Sequence, residues 1–148
     1  MMRIDILSAV PELLESPLSH SIVGRARKQG LVRIEIHDLR DHSEDKHRKV
    51  DDYPYGGGAG MVLTAQPIFF CMERLFRERS YDEILFPSPD GIPFRQEHAN
   101  ELSLKQNVLI LCGHYKGVDR RVRETLVTRE YSMGDFVLSG GEIPAMAI

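Results

Sequence analysis

The chain has 148 residues, 42% of them hydrophobic and 28% charged, with a formal net charge of −3. That length is one domain's worth with room for a true core, and the composition is ordinary for a soluble globular protein. No apolar run approaches a membrane span and no signal-peptide pattern opens the chain, so no membrane partner is expected. The negative balance removes any global attraction to nucleic acid, although local basic clusters still permit contact. Cys71 and Cys112 stand far apart, each in an apolar run, and read as reduced, buried thiols of a cytoplasmic protein.

In chain order, residues 2–7 alternate polar and apolar, run into Ser8-Ala9-Val10 and read as a first strand closed by Pro11. Over residues 17–29, Leu18, Ile22, Val23 and Ala26 recur at helical spacing, with Ser16 suited to the N-cap and Gly30 to the position after the C-cap. Arg25, Arg27 and Lys28 crowd its last turns, where both the helix dipole and an RNA contact would account for them. Residues 31–37 alternate again as a second strand. Strand, helix, strand predicts a parallel βαβ unit.

Residues 38–52 are too charged for a core and read as an exposed loop. His42 and His47 lack a third ligand at recognisable spacing, so no metal site is assigned, and magnesium is not readable. Lys46-His47-Arg48-Lys49 is the densest positive cluster, either a solvated face or a phosphate contact. Tyr53-Pro54-Tyr55-Gly56-Gly57-Gly58-Ala59-Gly60 follows, with free backbone N–H groups and two stacking planes. It carries no Lys-Ser/Thr pair and no third glycine at dinucleotide spacing, so neither a nucleoside triphosphate nor a nicotinamide cofactor is expected.

Residues 67–79 predict a helix with a stripe of Ile68, Phe69, Met72, Leu75 and Phe76, and Ile84-Leu85-Phe86 a short buried strand ended by Pro87. Residues 95–105 predict a polar helix, 108–112 the most strongly buried strand, and 118–127 a further helix. The last segment holds Phe136-Val137-Leu138 between Gly134 and Gly140-Gly141, which reads as a strand end or buried loop. Pro144 then falls in the first turn of a helix. Two readings fit: a tight strand-to-helix turn, or one wall of a binding crevice. Residues 87–91, 113–117 and 132–141 all follow strand-like runs, and in a parallel sheet such ends share one edge.

Three motifs carry a resemblance. They are Asp51-Asp52-x-Pro54-Tyr55-Gly56-Gly57-Gly58-x-Gly60-Met61, Cys112-Gly113-x-Tyr115-x-Gly117-x-Asp119-x-Arg121-Val122, and Ser132-x-Gly134-Asp135-x-Val137-Leu138-Ser139-Gly140-Gly141-Glu142-x-Pro144-Ala145. Together they resemble the TrmD family, bacterial tRNA (guanine-N1)-methyltransferases of the SPOUT class, along the whole chain. The resemblance implies an α/β fold, a mostly parallel sheet flanked by helices, with a deep trefoil knot in its C-terminal half. Ordinary topological rules would not lead to a knot. It further implies S-adenosylmethionine as methyl donor, a cytoplasmic homodimer, and tRNA rather than DNA as partner. The target would be N1 of the guanine 3′ of the anticodon, position 37. Within the resemblance the alternatives are another SPOUT RNA methyltransferase or a non-catalytic RNA- or nucleotide-binding module.

Carried over by motif, Ser88 and Pro89 from one loop and Gly113, Tyr115 and Gly117 from the next would bind the donor. Met133, Gly134, Phe136, Val137, Leu138, Gly140, Gly141 and Pro144 would complete that pocket. Asp51, Tyr55, Gly56, Gly57, Gly58 and Gly60 would face the guanine, and Arg48 and Lys49 the tRNA phosphates. Asp51 and Asp119 resemble structural or substrate-orienting groups rather than a base. Two positions depart from the family pattern: Lys116 stands where glutamate is usual, and Val10 where phenylalanine is common. A cation at Lys116 would repel a sulfonium unless it turned outward or met the donor's carboxylate. Family members continue beyond the position of Ile148 through a linker bearing a catalytic aspartate into a tRNA-binding domain. Residues 1–148 are therefore expected to form the donor-binding domain, without a general base and with little activity alone.

Overall fold

In the computed structural model, which describes residues 1–53, 61–114 and 117–148, the N-terminal alternation forms strand β1 (Met2–Ser8). Ile4 and Ile6 point to one face of the sheet and Asp5 and Leu7 to the other, as period two requires. A short helix α1 (Glu12–Glu15) follows, and the single helix expected over 17–29 is corrected to two pieces, a 3₁₀ turn (Pro17–Ser19) and α2 (Ser21–Lys28). Ser16 has helical backbone angles and caps nothing; extended His20 opens α2 instead. Buried Leu18 accounts for the break, because it anchors its own turn to the sheet. Gly30 takes the expected place, with φ +72° and its N–H on the Arg27 carbonyl, a left-handed conformation that favours glycine.

Strand β2 (Val32–Asp38) lies parallel to β1, and a 3₁₀ turn (Leu39–His42) follows. The loop expected over 38–52 ends in strand β3 (Asp51–Asp52), which pairs antiparallel with β4 (Val62–Leu63). Helix α3 (Ala65–Glu78) buries Ile68, Cys71, Met72 and Leu75, while Phe76 turns out against Tyr81. Strand β5 (Glu83–Pro93) is far longer than the three residues expected. Tyr131 pairs first with Pro87 and again with Ile92, so residues 88–91 bulge out of the ladder. Proline at 87 and 89 suits that detour, having no N–H to leave unpaired.

Helix α4 (Gln96–Ser103), β6 (Asn107–Leu111), α5 (Arg120–Thr125), β7 (Arg129–Ser132) and α6 (Glu142–Ala147) complete the chain. The apolar run 136–138 is not strand: Phe136 is 55% and Val137 80% exposed, and the strand is the more polar stretch before it. Tyr131 and Ser132 bury themselves beside β5 and leave the apolar run to follow the sheet edge. The strand order is β2-β1-β6-β5-β7, with every neighbouring pair parallel. Leu7, Leu109, Leu111, Ile84 and Phe86 pack under α3 and α5. Ile6, Val108, Ile110, Leu85 and Tyr131 pack under Leu14, Leu102 and Ala145 on the opposite face. Both cysteines are buried and free, and burial pushes the Cys71 thiol up to about 12. Among the described residues no helix is long and apolar enough to cross a membrane.

Candidate functional site

The bulge of β5 and the carboxyl ends of β6 and β7 open into one cleft of about 420 Å³. Ser88 and Pro89 come from the bulge of β5, and Gly113 and Gly117 from the turn after β6. Met133, Gly134, Phe136, Val137, Leu138, Gly140, Gly141 and Pro144 come from the segment between β7 and α6 and its first turn. The structure thus brings together the described residues that the motifs singled out for the donor. Tyr115 lies outside the described residues, as does Lys116.

The glycines let separate pieces of backbone close on each other. Gly141 donates its N–H to the Gly113 carbonyl at 2.9 Å. A methyl-sized group on Gly141 would sit 3.0 Å from the Cys112 Cα, and one on Gly113 3.0 Å from the Phe86 ring. Either side chain would wedge the loops apart, so main-chain donors and acceptors line the cleft instead.

Arg123, Phe86 and His114 also line the cleft and escaped sequence reasoning. The Arg123 guanidinium lies 5.2 Å over the Phe86 ring and donates to Glu130 at 2.6 Å. Nothing in the sequence separates it from Arg120, which pairs with Glu124 on the exposed face of the same helix. Asp119 accepts from the Arg121 side chain and N–H at the start of α5, which holds its carboxyl below the usual range. That is a capping role. Glu142, 1% exposed, accepts from the Ser8 hydroxyl at 2.7 Å and ties the start of α6 to the end of β1.

On the neighbouring side, Asp51 pairs with Leu63 across the β3-β4 hairpin. Leu63 donates to the Gly117 carbonyl at 3.0 Å and accepts from the Asp119 N–H at 2.9 Å. The hairpin is therefore sewn to the turn that lines the cleft. Tyr55, Gly56, Gly57, Gly58 and Gly60, between its strands, lie outside the described residues. Arg48, at φ +58°, spends its guanidinium on Asp41 and lies 3.9 Å from Asp38, so a loop carboxylate already holds the cation expected on phosphate. Lys49 is exposed, with no ion-pair partner among the described residues. Arg27 donates to the Leu18 and Ile34 carbonyls and ties α2 to β2, whereas Arg25 and Lys28 remain exposed. Among the described residues no group of His, Cys, Asp and Glu is placed to hold a metal ion.

The chain is similar to proteins of one kind. Residues 2–148 match the family described as tRNA (Guanine-1)-methyltransferase TrmD. A tRNA (guanine-N(1)-)-methyltransferase of Azobacteroides pseudotrichonymphae is 56% identical over 147 residues, covering 99% of this chain and 66% of that protein. The protein of the same name from Chlorobaculum tepidum is 54% identical, over 99% of this chain and 64% of its own length. The crystal structure of tRNA (m1G37) methyltransferase from Aquifex aeolicus superposes with a TM-score of 0.90 at 39% identity, covering 99% of this chain and 66% of that one. The chain spans about two thirds of the length of these relatives. With a family match along nearly its whole length and the fold shared with a solved relative, the chain belongs to the tRNA (Guanine-1)-methyltransferase TrmD family.

Proposed function

We propose that the cleft binds S-adenosylmethionine and that the chain serves methyl transfer to N1 of guanine 37 in tRNA. One observation carries this reading: three main-chain-lined loops converge on a single cleft, and the hairpin bearing the second glycine cluster is bonded to the same turn. The cleft falls within the size range of small-molecule sites, and its floor is a cradle where Gly113 and Gly141 pack too closely against Phe86 and Cys112 to carry side chains without strain. Such a cradle fits a flat purine, whose edge needs N–H and C=O partners and whose faces need apolar contact. Phe136, Val137 and Leu138 supply that contact and account for apolar exposure at 136 and 137.

When bound, the donor supplies a methyl group activated by its positive sulfur. The chain's share is to hold donor and guanine in line, and such alignment lowers a barrier by roughly 7–11 kcal/mol at best. Asp51 and the hairpin would orient the guanine, while Lys49, Arg25 and Lys28 offer the exposed cations for tRNA phosphates. Asp119 stays with α5 as its cap. The family pattern places the general base beyond the position of Ile148, so the proposed part of residues 1–148 in the reaction is to bind and align the donor. The same reading includes a trefoil knot. It is supported by the way residues 133–141 pass the ends of β5 and β6 before α6 reaches β1 through Glu142 and Ser8. A cytoplasmic homodimer completes it.

Calorimetric titration of the 148-residue chain with S-adenosylmethionine is expected to show saturable binding, and no binding would end the donor assignment. Binding of tRNA without donor would favour a non-catalytic RNA-binding module. A preparation that methylates tRNA with adenine at position 37 as readily as guanine would favour another RNA methyltransferase of the SPOUT class.

A further inference from the structure

We infer that Glu142 is a specificity-determining residue of the cleft, its buried charge favouring a sulfonium ligand over the neutral thioether left when the methyl group departs. The inference rests on the donor reading above. Glu142 is 1% exposed, and its Oε1 accepts from the Ser8 hydroxyl at 2.7 Å. Ser8 is itself fully buried and accepts from the Val10 N–H. Among the described residues no Lys, Arg or His lies within ion-pair distance of this carboxylate. A buried carboxylate without a counter-charge is costly, and one serine hydroxyl offsets little of that cost.

The second oxygen explains where a compensating charge would come from. A methyl-sized group on Gly140, which lines the cleft, would sit 2.5 Å from Glu142 Oε2. The carboxylate therefore lies directly behind the cleft backbone, buried from water, where its ionised form would be favoured by a cation bound in the cleft and would act on it with little screening. Among the described residues the other charges lining the cleft do not substitute for it. Arg123 is matched by Glu130, and Asp90 lines the cleft but is exposed, where water and salt weaken its field. A ligand with a permanent positive charge gains from Glu142; its thioether counterpart of the same shape does not. Such a bias would help the spent molecule to leave.

The test is the ratio of dissociation constants for S-adenosylmethionine and S-adenosylhomocysteine, measured by calorimetry on the wild-type chain and on Glu142→Gln. The amide keeps an acceptor for Ser8 and removes only the charge. Sulfonium affinity should fall about tenfold with thioether affinity within about twofold of wild type. Equal losses for both ligands, or an unchanged ratio, would overturn the inference and make Glu142 a clamp alone. Ser8→Ala, which breaks the clamp but leaves the charge, should preserve the wild-type ratio; a collapse of that ratio would also overturn it. Should Glu142→Gln fail to fold by circular dichroism, Glu142→Met, of similar volume and without charge, is the second neutral variant and must show the same selective loss. A wild-type chain that binds neither ligand would instead refute the donor reading.

Discussion

Asp5, in the middle of β1, is bonded to Arg3, His37 and Tyr81, whereas the side chain of Glu142, as deeply buried at the start of α6, is bonded among the described residues to Ser8 alone. Arg79 also lies 3.6 Å from the Asp5 carboxylate. Burial alone would push the Asp5 carboxyl up, but hydrogen bonds from His37, Arg3 and Tyr81 outweigh it and hold the group well below the usual range. The same interaction, together with burial, pushes the Tyr81 phenol above its ordinary range. Asp5 is thus a finished structural centre that joins β1, β2 and the end of α3. Glu142 keeps unused acceptor capacity beside a cleft. Two carboxylates of equal burial therefore serve different ends, and what separates them is the number of donors.

The largest effect that can test this contrast is at Asp5. Asp5→Ala leaves the Arg3 and Arg79 guanidiniums and the Tyr81 hydroxyl without their shared acceptor and is expected to cost about 3–5 kcal/mol in denaturant unfolding. A loss below about 1 kcal/mol would place Asp5 with the surface ion pairs instead. Acid unfolding examines the same group. Because its folded-state affinity for protons is depressed, its contribution is complete above the ordinary carboxylate range near 3.8 and is lost as pH falls below it. Stability measured from pH 6 downward should decline more steeply in wild type than in Asp5→Asn. Parallel curves would show that another group governs the acid limb.

A smaller effect separates the two glycines of the last motif. A methyl group on Gly141 meets the backbone of Cys112 and Gly113 at 3.0 and 3.1 Å, tighter than ordinary contact, so Gly141→Ala should cost about 1–3 kcal/mol of stability. On Gly140 the near neighbours are Glu142 Oε2 at 2.5 Å, His114 Cδ2 at 2.8 Å and the Gly113 carbonyl oxygen at 3.1 Å, so the buried carboxylate must shift from its place beside Ser8. Gly140→Ala should therefore cost at least as much stability as Gly141→Ala and in addition weaken sulfonium binding, since the carboxylate is displaced. Unchanged sulfonium affinity in Gly140→Ala would refute the distinction.

How far the sequence reveals these features depends on whether local pattern or distant contact decides them. Alternation in β1 and β2, the apolar run of β6 and the stripe of α3 are local, and each forms the element its pattern predicts. The loops at the strand ends are legible for the same reason, since glycine and proline mark where main chain must turn or approach. Long-range contacts are not written in any window. Tyr131 pairs twice with β5 and so extends that strand past Pro87 and Pro89, while buried Leu18 anchors a separate turn and splits the helical pattern of residues 17–29. Glu142 reads in the sequence as a first-turn residue of a helix; only its partner, 134 residues away, reveals a buried carboxylate. Arg123 is equally hidden, because its neighbours Phe86 and Glu130 come from two different strands.

Arg123 gives the smallest effect and one of opposite sign. Its guanidinium is about one third exposed, and its pair with Glu130 and contact with Phe86 contribute about 0.5–1 kcal/mol, so Arg123→Met should lower stability only slightly. The substitution nevertheless leaves Glu130 without its cation near the cleft wall. If buried and half-buried charge governs ligand choice here, that added negative field should raise the preference for sulfonium over thioether by about twofold, against the fall expected for Glu142→Gln. Calorimetry with the two ligands decides between these outcomes. A drop in the ratio at Arg123→Met would mean that shape near Phe86, rather than charge, sets the preference, and would remove the electrostatic contrast between the two carboxylates.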